Sequence, residues 1–564
     1  MPKLKSPAEL EELRKGILSK RDPEKPCISV CGGTGCHALD NQSLIIAFHE
    51  EIKKQSLKKE VDVRTTGCPG FCEKGPIVII YPEEICYVKV TPEDTRDIVS
   101  QTIVGKKVIN RLVYSDPNTS EKAVHVDEIP FFKNQMRTLI GNNSKIDPES
   151  IEDYLAIGGY SALNKVLLNM SPEQVIIEIK ESGLRGRSGG GFPTGRKWET
   201  ARNAESDTRY IICNCHEGDP GAFVDRRMME GNPHSVLEGM IIGAYAIGAG
   251  EGYIFVGDEF PLTVENIEKA VKQAEEYGLL GNNILGSGFN LNIEISIDGG
   301  GYVCGESTAL TASIEGRVGE PVTKYDHATE RGLWAMPTVL NNLQTWVNVP
   351  LIINRGSAAF NITGTENSKG TKVFSLAGKI NNIGLVEAPM GMTLREIIID
   401  IGGGIRENKK LKTVQVGGPL GGFIPENLLE LPIDFDDMTG AGVSIGPSLI
   451  VVDEDTCLVD MVKYFLAFLC NESCGKCTPC REGLRQMLRI LTDISEGKGR
   501  ESDFELLEEL AEVQKESALC ALGQGASNPL LSALKYFQDE FETHIKEKCC
   551  PAFVCKTLSA VESK

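Results

Sequence analysis

The chain has 564 residues, and its 59 lysines and arginines stand against 79 aspartates and glutamates, a formal net charge of −20. That length suggests about three or four domains, and 41% hydrophobic with 24% charged residues excludes disorder as the main state. The acidic balance excludes a general nucleic-acid binder, although a local basic pocket for a phosphate stays open. Met1 to Asp22 holds no apolar core of the signal type, and the longest apolar run, Gly239 to Gly250, stops at Glu251. The sequence therefore predicts no secretory signal, no membrane span and a cytoplasmic location. In a reducing compartment the 18 cysteines read as metal ligands before disulfides.

Lys5 to Lys20 is an amphipathic helix candidate. Ile28 to Val30 reads as a strand, and Leu44 to Lys54 as a helix with Ile45, Phe48 and Ile52 on one side. Val61 to Arg64, Ile77 to Tyr81 and Tyr87 to Val90 read as further strands of a small α/β domain. Its two turn-rich loops carry Cys31-x4-Cys36 and Cys68-x3-Cys72. Four thiolates on paired loops suit an iron–sulfur cluster, with zinc as the competing reading. The spacings differ from the paired CxxC of structural zinc, and the loop Gly32-Gly33-Thr34-Gly35 can offer N–H groups to bridging sulfides; both favour [2Fe–2S].

Gly105 to about Lys145 is polar and mixed and reads as a linker with local structure, and Asp147 to Leu168 as a helix starting at Asp147-Pro148. Pro172 to Pro350 alternates glycine-rich turns with helix and strand patterns, an α/β domain. Within it, Gly183–Trp198 is dense in glycine and carries Arg185, Arg187 and Lys197. Glycines let a backbone approach a ligand closely, and their N–H groups can cradle phosphate. No valine-rich strand leads into the segment, so it is not the ordinary dinucleotide fingerprint, and a plain glycine turn is the alternative. Cys213–Phe223 follows the strand Tyr210–Ile212, and Gly299–Thr308 is a second glycine loop entering a helix. Asn341 and Asn342 offer paired amides, suited either to a flavin edge or to helix caps.

Thr371 to Val451 is strand-rich with one helix near Leu394 to Asp400, a compact α+β module. Asp455 to Ile545 is helical, broken at Cys474-Gly-Lys-Cys477-Thr-Pro-Cys480 and at Gly497–Gly499. Three cysteines at this spacing can wrap one corner of a cube, and the remote Cys520 closes it, a [4Fe–4S] signal. Cys457, His544, Cys550 and Cys555 would make a closed zinc site. Plain surface thiols are the alternative, and Cys549 could replace Cys550.

On these motifs the chain resembles the NADH-binding flavoprotein subunit of respiratory complex I. It is most similar to the beta subunits of soluble multimeric NAD-linked iron hydrogenases and formate dehydrogenases. The segments that carry the resemblance are Gly183–Trp198, Asn214–Arg226, Gly299–Leu310, Pro337–Thr345, Glu472–Gly483 and Cys520–Gln524. The fold implied is multidomain α/β. An N-terminal helix (1–26) precedes a thioredoxin-like [2Fe–2S] domain (27–105) and a linker (106–150). A Rossmann-like FMN/NAD(H) domain (151–365) and a β-grasp domain (366–452) follow. A C-terminal helical bundle with [4Fe–4S] (453–545) and a tail with the zinc candidate (546–564) complete it.

The resemblance places Gly186, Arg187 and Lys197 at the FMN phosphate. It places Asn214, His216, Glu217, Gly218, Phe255, Glu259, Asn341 and Asn342 along the flavin, and Phe192 and Lys324 at the dinucleotide. Some positions depart from the family. Asn214-Cys215-His216-Glu217 stands for Asn-Ala-Asp-Glu, and Phe255-Val-Gly257-Asp258-Glu259 for Tyr-Val-Arg-Gly-Glu. His327 aligns with a phenylalanine that helps hold adenine, and Phe260 with an acid that faces the adenine ribose. The missing acid permits NADP(H) as well as NAD(H). Family members of the hydrogenase type often continue into a two-cluster ferredoxin domain; here two clusters and one flavin are expected.

The implied activity is that of an NAD(P)H-dependent, diaphorase-type oxidoreductase subunit, with electrons passing between NAD(P)H, FMN and the clusters. No side-chain nucleophile is expected. The [2Fe–2S] domain would be a mobile or branching relay, given the linker. Implied partners are a small [2Fe–2S] thioredoxin-like subunit and a hydrogenase-like or formate dehydrogenase-like catalytic subunit. The alternative is a relay subunit that keeps FMN and clusters but binds no nicotinamide. Cys27, Cys86, Cys213, Cys215, Cys304, Cys470 and Cys549 receive no role.

Overall fold

The computed structural model describes residues 3–558. The ends of the expected N-terminal segment and tail, residues 1–2 and 559–564, lie outside the described residues. The first helix is Pro7–Ser19, started by the Ser6 hydroxyl, which accepts from the Glu9 N–H. Leu10 and Ile17 bury against the core that surrounds Leu155 and Leu163. Arg14 fixes the contact by donating to the carbonyls of Leu155 and Gly159.

A mixed sheet follows in the order Asp62–Thr66, Cys27–Cys31, Val78–Tyr81, Ile85–Tyr87. Its first pair is parallel and the others antiparallel. The helix Asn41–Lys54 buries Leu44, Phe48 and Ile52. The last strand ends at Tyr87 and does not reach Val90, because Lys89 takes a left-handed φ of 51° and turns the chain.

Residues 106–150, the expected linker with local structure, pack as a strap against their neighbours. Phe131 stacks on Phe71 at 4.1 Å between ring centroids. The buried Glu387 carboxylate accepts from the N–H groups of Leu139 and Ile140. The second cysteine loop is also tied to the strand Gly384–Pro389. The Leu385 N–H donates to Gly70 O at 2.7 Å, and the Glu73 N–H to Ile383 O at 3.1 Å. Cys31, Cys36 and Cys68 share one apolar core with Phe374, Leu376 and Val386. In this arrangement the domain packs on its neighbours, which share its apolar core and accept or donate at its loop.

The predicted helix over Asp147–Leu168 is two helices, Ile151–Ala156 and Ser161–Asn169. Gly158 (φ 96°) and Tyr160 (φ 58°) break it, and Ser150 rather than Asp147 caps the first piece. Beyond them lies a parallel sheet in the order Thr338–Asn342, Tyr210–Asn214, Glu251–Gly257, Asn292–Asp298. The apolar helix Pro233–Ile247 is buried beneath it, and Gly239 and Gly243 let it press on Trp346.

The next sheet runs Gly384–Pro389, Thr371–Gly378, Ser448–Asp453, Leu411–Val416, Gly422–Pro425, with its Thr371–Gly378/Ser448–Asp453 pair parallel. It carries a second helix that the pattern did not suggest, Phe435–Gly440, capped by Asp434. Helices Leu458–Glu472, Thr478–Ser495 and Ser502–Ser517 form the last unit. Among the described residues no helix is long and apolar enough to cross a membrane.

Candidate functional site

A cleft of about 850 Å3 opens at the C-terminal ends of the strands Tyr210–Asn214 and Thr338–Asn342. Volume and placement suit a cofactor in an α/β sheet. Gly186, Phe192, Lys197, Asn214, Lys324, Asn341 and Asn342 of the predicted set line it. The glycine-rich segment forms a tight loop, closed by the Gly186 N–H on Phe192 O at 2.9 Å. Gly189 and Gly191 supply the positive φ values it needs, 124° and 57°. Arg185 does not face the cleft: it pairs with Asp436 at 3.2 Å and lies on the Phe435 ring, so the neighbouring helix holds the loop.

Lys197 rises from the helix Thr194–Asn203 and donates to Leu340 O at 2.9 Å and Asn341 Oδ1 at 3.3 Å. Burial, with Lys324 nearby, pushes its pKa down to about 8. Asn342 caps the helix Leu343–Arg355, its Oδ1 accepting from the Gln344 N–H. Asn341 makes no such cap, and its buried Nδ2 has no partner among the described residues. An orphan amide donor on a cleft wall fits a carbonyl edge such as a flavin's. Asn214 ties its own loop to the second glycine loop, donating to Gly305 O and accepting from the His216 N–H.

Other predicted cofactor residues do not line the cleft. Arg187 is buried and gives its guanidinium to the carbonyls of Thr371, Arg185 and Lys369. Glu217 accepts from the N–H groups of Val224, Asp225 and Arg226, so it caps a helix N-terminus. Burial, with Asp225 beside it, pushes its pKa up to about 8. Phe255 packs in a small core with Ile212, Tyr253 and Leu310. His216 is buried 3.8 Å from Asp298, and burial lowers its pKa, which favours the neutral ring. Gly218 lets the Tyr302 ring approach, and a Cβ on Gly257 would lie 2.1 Å from the Glu259 carboxylate. Cys213 and Cys215 are core side chains.

The cleft also uses residues that sequence reasoning passed over. Glu306 caps the helix Ser307–Ile314 and pairs with Lys324 at 2.7 Å. Trp334 lines the cleft and meets the Tyr210 ring edge-on. Arg317 and Arg331 add positive charge to the wall beside Lys324, and His327 lines it too. The Glu-Ser-Thr cap was readable in the sequence; the place of Trp334 was not.

Cys474, Cys477, Cys480 and Cys520 line one small apolar cavity with Val303, Pro321, Leu519 and Leu522. Gly475 (φ 74°) turns the loop, and Cys477 starts the helix Thr478–Ser495. Cys520 starts Ala521–Gly525, whose Gly523 has no Cβ to press on Cys480. Four thiols around a dry cavity fit a [4Fe–4S] cube. Pro321 lines this cavity and Val322 the cleft, so consecutive residues separate the two. Consecutive Cα atoms lie about 3.8 Å apart.

Cys68 and Cys72 hold their sulfurs 3.8 Å apart. Two thiolates on one tetrahedral metal stand about 3.8 Å apart, given bonds of about 2.3 Å. Cys31 interacts with both Cys36 and Cys68, so all four predicted thiols converge.

Cys457, His544, Cys550 and Cys555 are buried with their ligand atoms all within 4.8 Å of one another. Cys457 Sγ lies 3.3 Å from His544 Nε2 and 3.8 Å from Cys555 Sγ. Tetrahedral zinc with Cys and His ligands requires about 3.5 and 3.8 Å. His544 Nδ1 donates to Glu540 O at 2.7 Å, which leaves the Nε2 lone pair facing the thiols. Cys550, and not Cys549, belongs to the group.

Residues 179–351 match the family described as the Nuo51 FMN-binding domain. Residues 460–544 match the NADH-ubiquinone oxidoreductase-F iron-sulfur binding region, and 17–102 the thioredoxin-like [2Fe-2S] ferredoxin. The chain is 49% identical over 427 residues to the NADP-reducing hydrogenase subunit HndC of Solidesulfovibrio fructosivorans, covering 76% of this chain and 87% of that one. It is 40% identical over 403 residues to the F subunit of the NADH-quinone oxidoreductase of Escherichia coli, covering 71% and 91%. A chain of the NAD+-reducing [NiFe]-hydrogenase in its H2-reduced state matches with a TM-score of 0.65 over 96% of this chain and 90% of that one. At 23% identity that likeness concerns the fold alone.

Proposed function

The chain belongs to the family of NADH-quinone oxidoreductase F-type flavoproteins, and from that premise we propose that it is a diaphorase-type subunit exchanging electrons with NAD(P)H inside a larger complex. It carries an FMN-binding domain, a [4Fe–4S] region and a thioredoxin-like [2Fe–2S] domain. The observation that carries the reading is the cleft one residue away from the four-thiol cavity, at Pro321–Val322. The chemistry FMN would supply there is acceptance of one hydride, two electrons together, from a reduced nicotinamide and their release one at a time to the clusters.

The roles of the side chains follow from their places. Gly186 lets the loop backbone meet a phosphate, and Lys197 supplies its counter-charge. Asn214 and Asn341 offer amides to the flavin. Phe192 and Lys324 stand where the dinucleotide enters, with Arg317 and Arg331 able to meet its phosphates. Glu217, Phe255 and Arg187 support that geometry from behind. In the Cys457–His544–Cys550–Cys555 group the ion is zinc. The proposed partners are a catalytic subunit of hydrogenase or formate dehydrogenase type and a small [2Fe–2S] subunit, in the cytoplasm. The domain division proposed is that of the sequence reading, with 106–150 as a strap.

Anaerobic titration of the reconstituted protein with NADH and NADPH tests the reading. Either nucleotide is expected to bleach the flavin absorbance. Bleaching by dithionite alone would leave only a relay role.

Lys197 gives a second expectation. Its pKa sits at about 8, below the ordinary lysine value. The ammonium is present below that pH and lost above it. Lys324, paired with Glu306, is the charged neighbour. A bound phosphate favours the ammonium, so above pH 8 FMN binding must take up a proton. The FMN dissociation constant should rise by up to about tenfold per pH unit there. Flavin-fluorescence quenching on the deflavinated protein measures it, and Lys197→Met should remove the slope.

A further inference from the structure

Arg227 and Glu230 lie on the helix Val224–Gly231, which follows the flavin loop, yet they reach the first cysteine loop of the other domain. Both side chains are buried, and they pair at 3.1 Å. Glu230 accepts from the Thr34 N–H at 3.1 Å and from the Thr34 hydroxyl. The guanidinium lies on the glycines of that loop. A Cβ on Gly35 would stand 2.9 Å from Arg227 Nη2, and one on Gly33 3.1 Å from Nη1 and 3.0 Å from Cys68 Cβ. A Cβ on Gly67 would meet the Gly231 backbone at 2.5 Å. The glycines therefore make room for the arginine and its helix, a stronger demand than the N–H supply expected from sequence. Among the described residues the buried Arg227 Nε has no partner, a donor left over on this loop.

We propose that Arg227 is a positioning residue of the [2Fe–2S] centre. It fixes the ferredoxin-like domain on the flavin module and, as a buried cation, raises the cluster's reduction potential, while Glu230 lowers it. This rests on the [2Fe–2S] assignment and is independent of nicotinamide binding. One-electron reduction adds one negative charge to the cluster and breaks no bond. A nearby buried cation stabilises that charge and a nearby anion opposes it. Outer groups of this kind tune metal centres through charge and hydrogen bonds.

The test is an EPR-monitored redox titration of the full-length holoprotein, comparing wild type with Arg227→Gln, Arg227→Lys and Glu230→Gln. Arg227→Gln should shift the [2Fe–2S] equilibrium about tenfold toward the oxidised cluster, about 59 mV for one electron. Arg227→Lys, which keeps the charge, should shift it less. Glu230→Gln should shift it the other way. The [4Fe–4S] midpoint should stay in place in all three. Opposite signs separate charge tuning from mere loosening of the interface, which would move both variants alike. Shifts of one sign, no shift, or an equal shift of both clusters overturns the proposal. Absence of any [2Fe–2S] signal from the wild type overturns the cluster assignment, and the proposal with it.

Discussion

Cys520→Ala is expected to abolish the [4Fe–4S] EPR signal and leave the [2Fe–2S] signal intact. Electron delivery from NAD(P)H to an iron–sulfur partner should fall by more than the about 10–100-fold that outer-shell changes at metal sites cost. Bleaching of the flavin by the nucleotide should persist, because the cleft uses none of the four thiols of the cluster cavity. The reason is geometric. Cys474, Cys477 and Cys480 come from one loop and one helix start, whereas Cys520 comes from the start of a separate helix and closes the cavity from its own side. Without it one corner of the cube has no thiolate. If the [4Fe–4S] signal survives unchanged, Cys520 is not the fourth ligand.

Cys457→Ala or His544→Ala should each remove one equivalent of zinc per chain, read by metal analysis, and lower the thermal unfolding midpoint. Cys457 precedes the helix Leu458–Glu472, while His544, Cys550 and Cys555 lie at the far end of the unit. An ion held by all four staples the first helix of the bundle to its last segment. Loss of such a tie belongs to the class of changes that cost about 4 kcal/mol or more. A strong chelator should give the same drop in wild type and none in the variants. Zinc retained at full stoichiometry in both variants would move the site elsewhere.

The cysteine clusters were legible because their spacing is local. Cys474, Cys477 and Cys480 fit one helix start, and Cys31/Cys36 and Cys68/Cys72 fit two turns. Even His544 with Cys457 was readable from ligand type alone. The flavin set was legible only in part. Glu217 and Asn214 stand three residues apart in one loop, yet one caps a helix and the other faces the cleft. Side-chain direction in a non-repeating loop has no period to read. Asn341 and Asn342 divide likewise, one left with a free donor and one capping a helix.

Sequence by itself determined the family and the cofactor classes, and proposed the ligands, since thiolate chemistry and turn glycines are properties of short segments. Tertiary structure alone decided how the units meet. The segment 106–150 reads as linker because its polar residues hide Phe131 and the N–H groups of Leu139 and Ile140, which find their partners in distant Phe71 and Glu387. Arg227 looks like an ordinary helix cation until the glycines of residues 32–35 are seen beneath it. A buried charge is stable only where a partner charge meets it; Glu230 supplies that locally, but the glycine loop that makes room for the pair lies nearly two hundred residues away in the chain, beyond the reach of any local pattern.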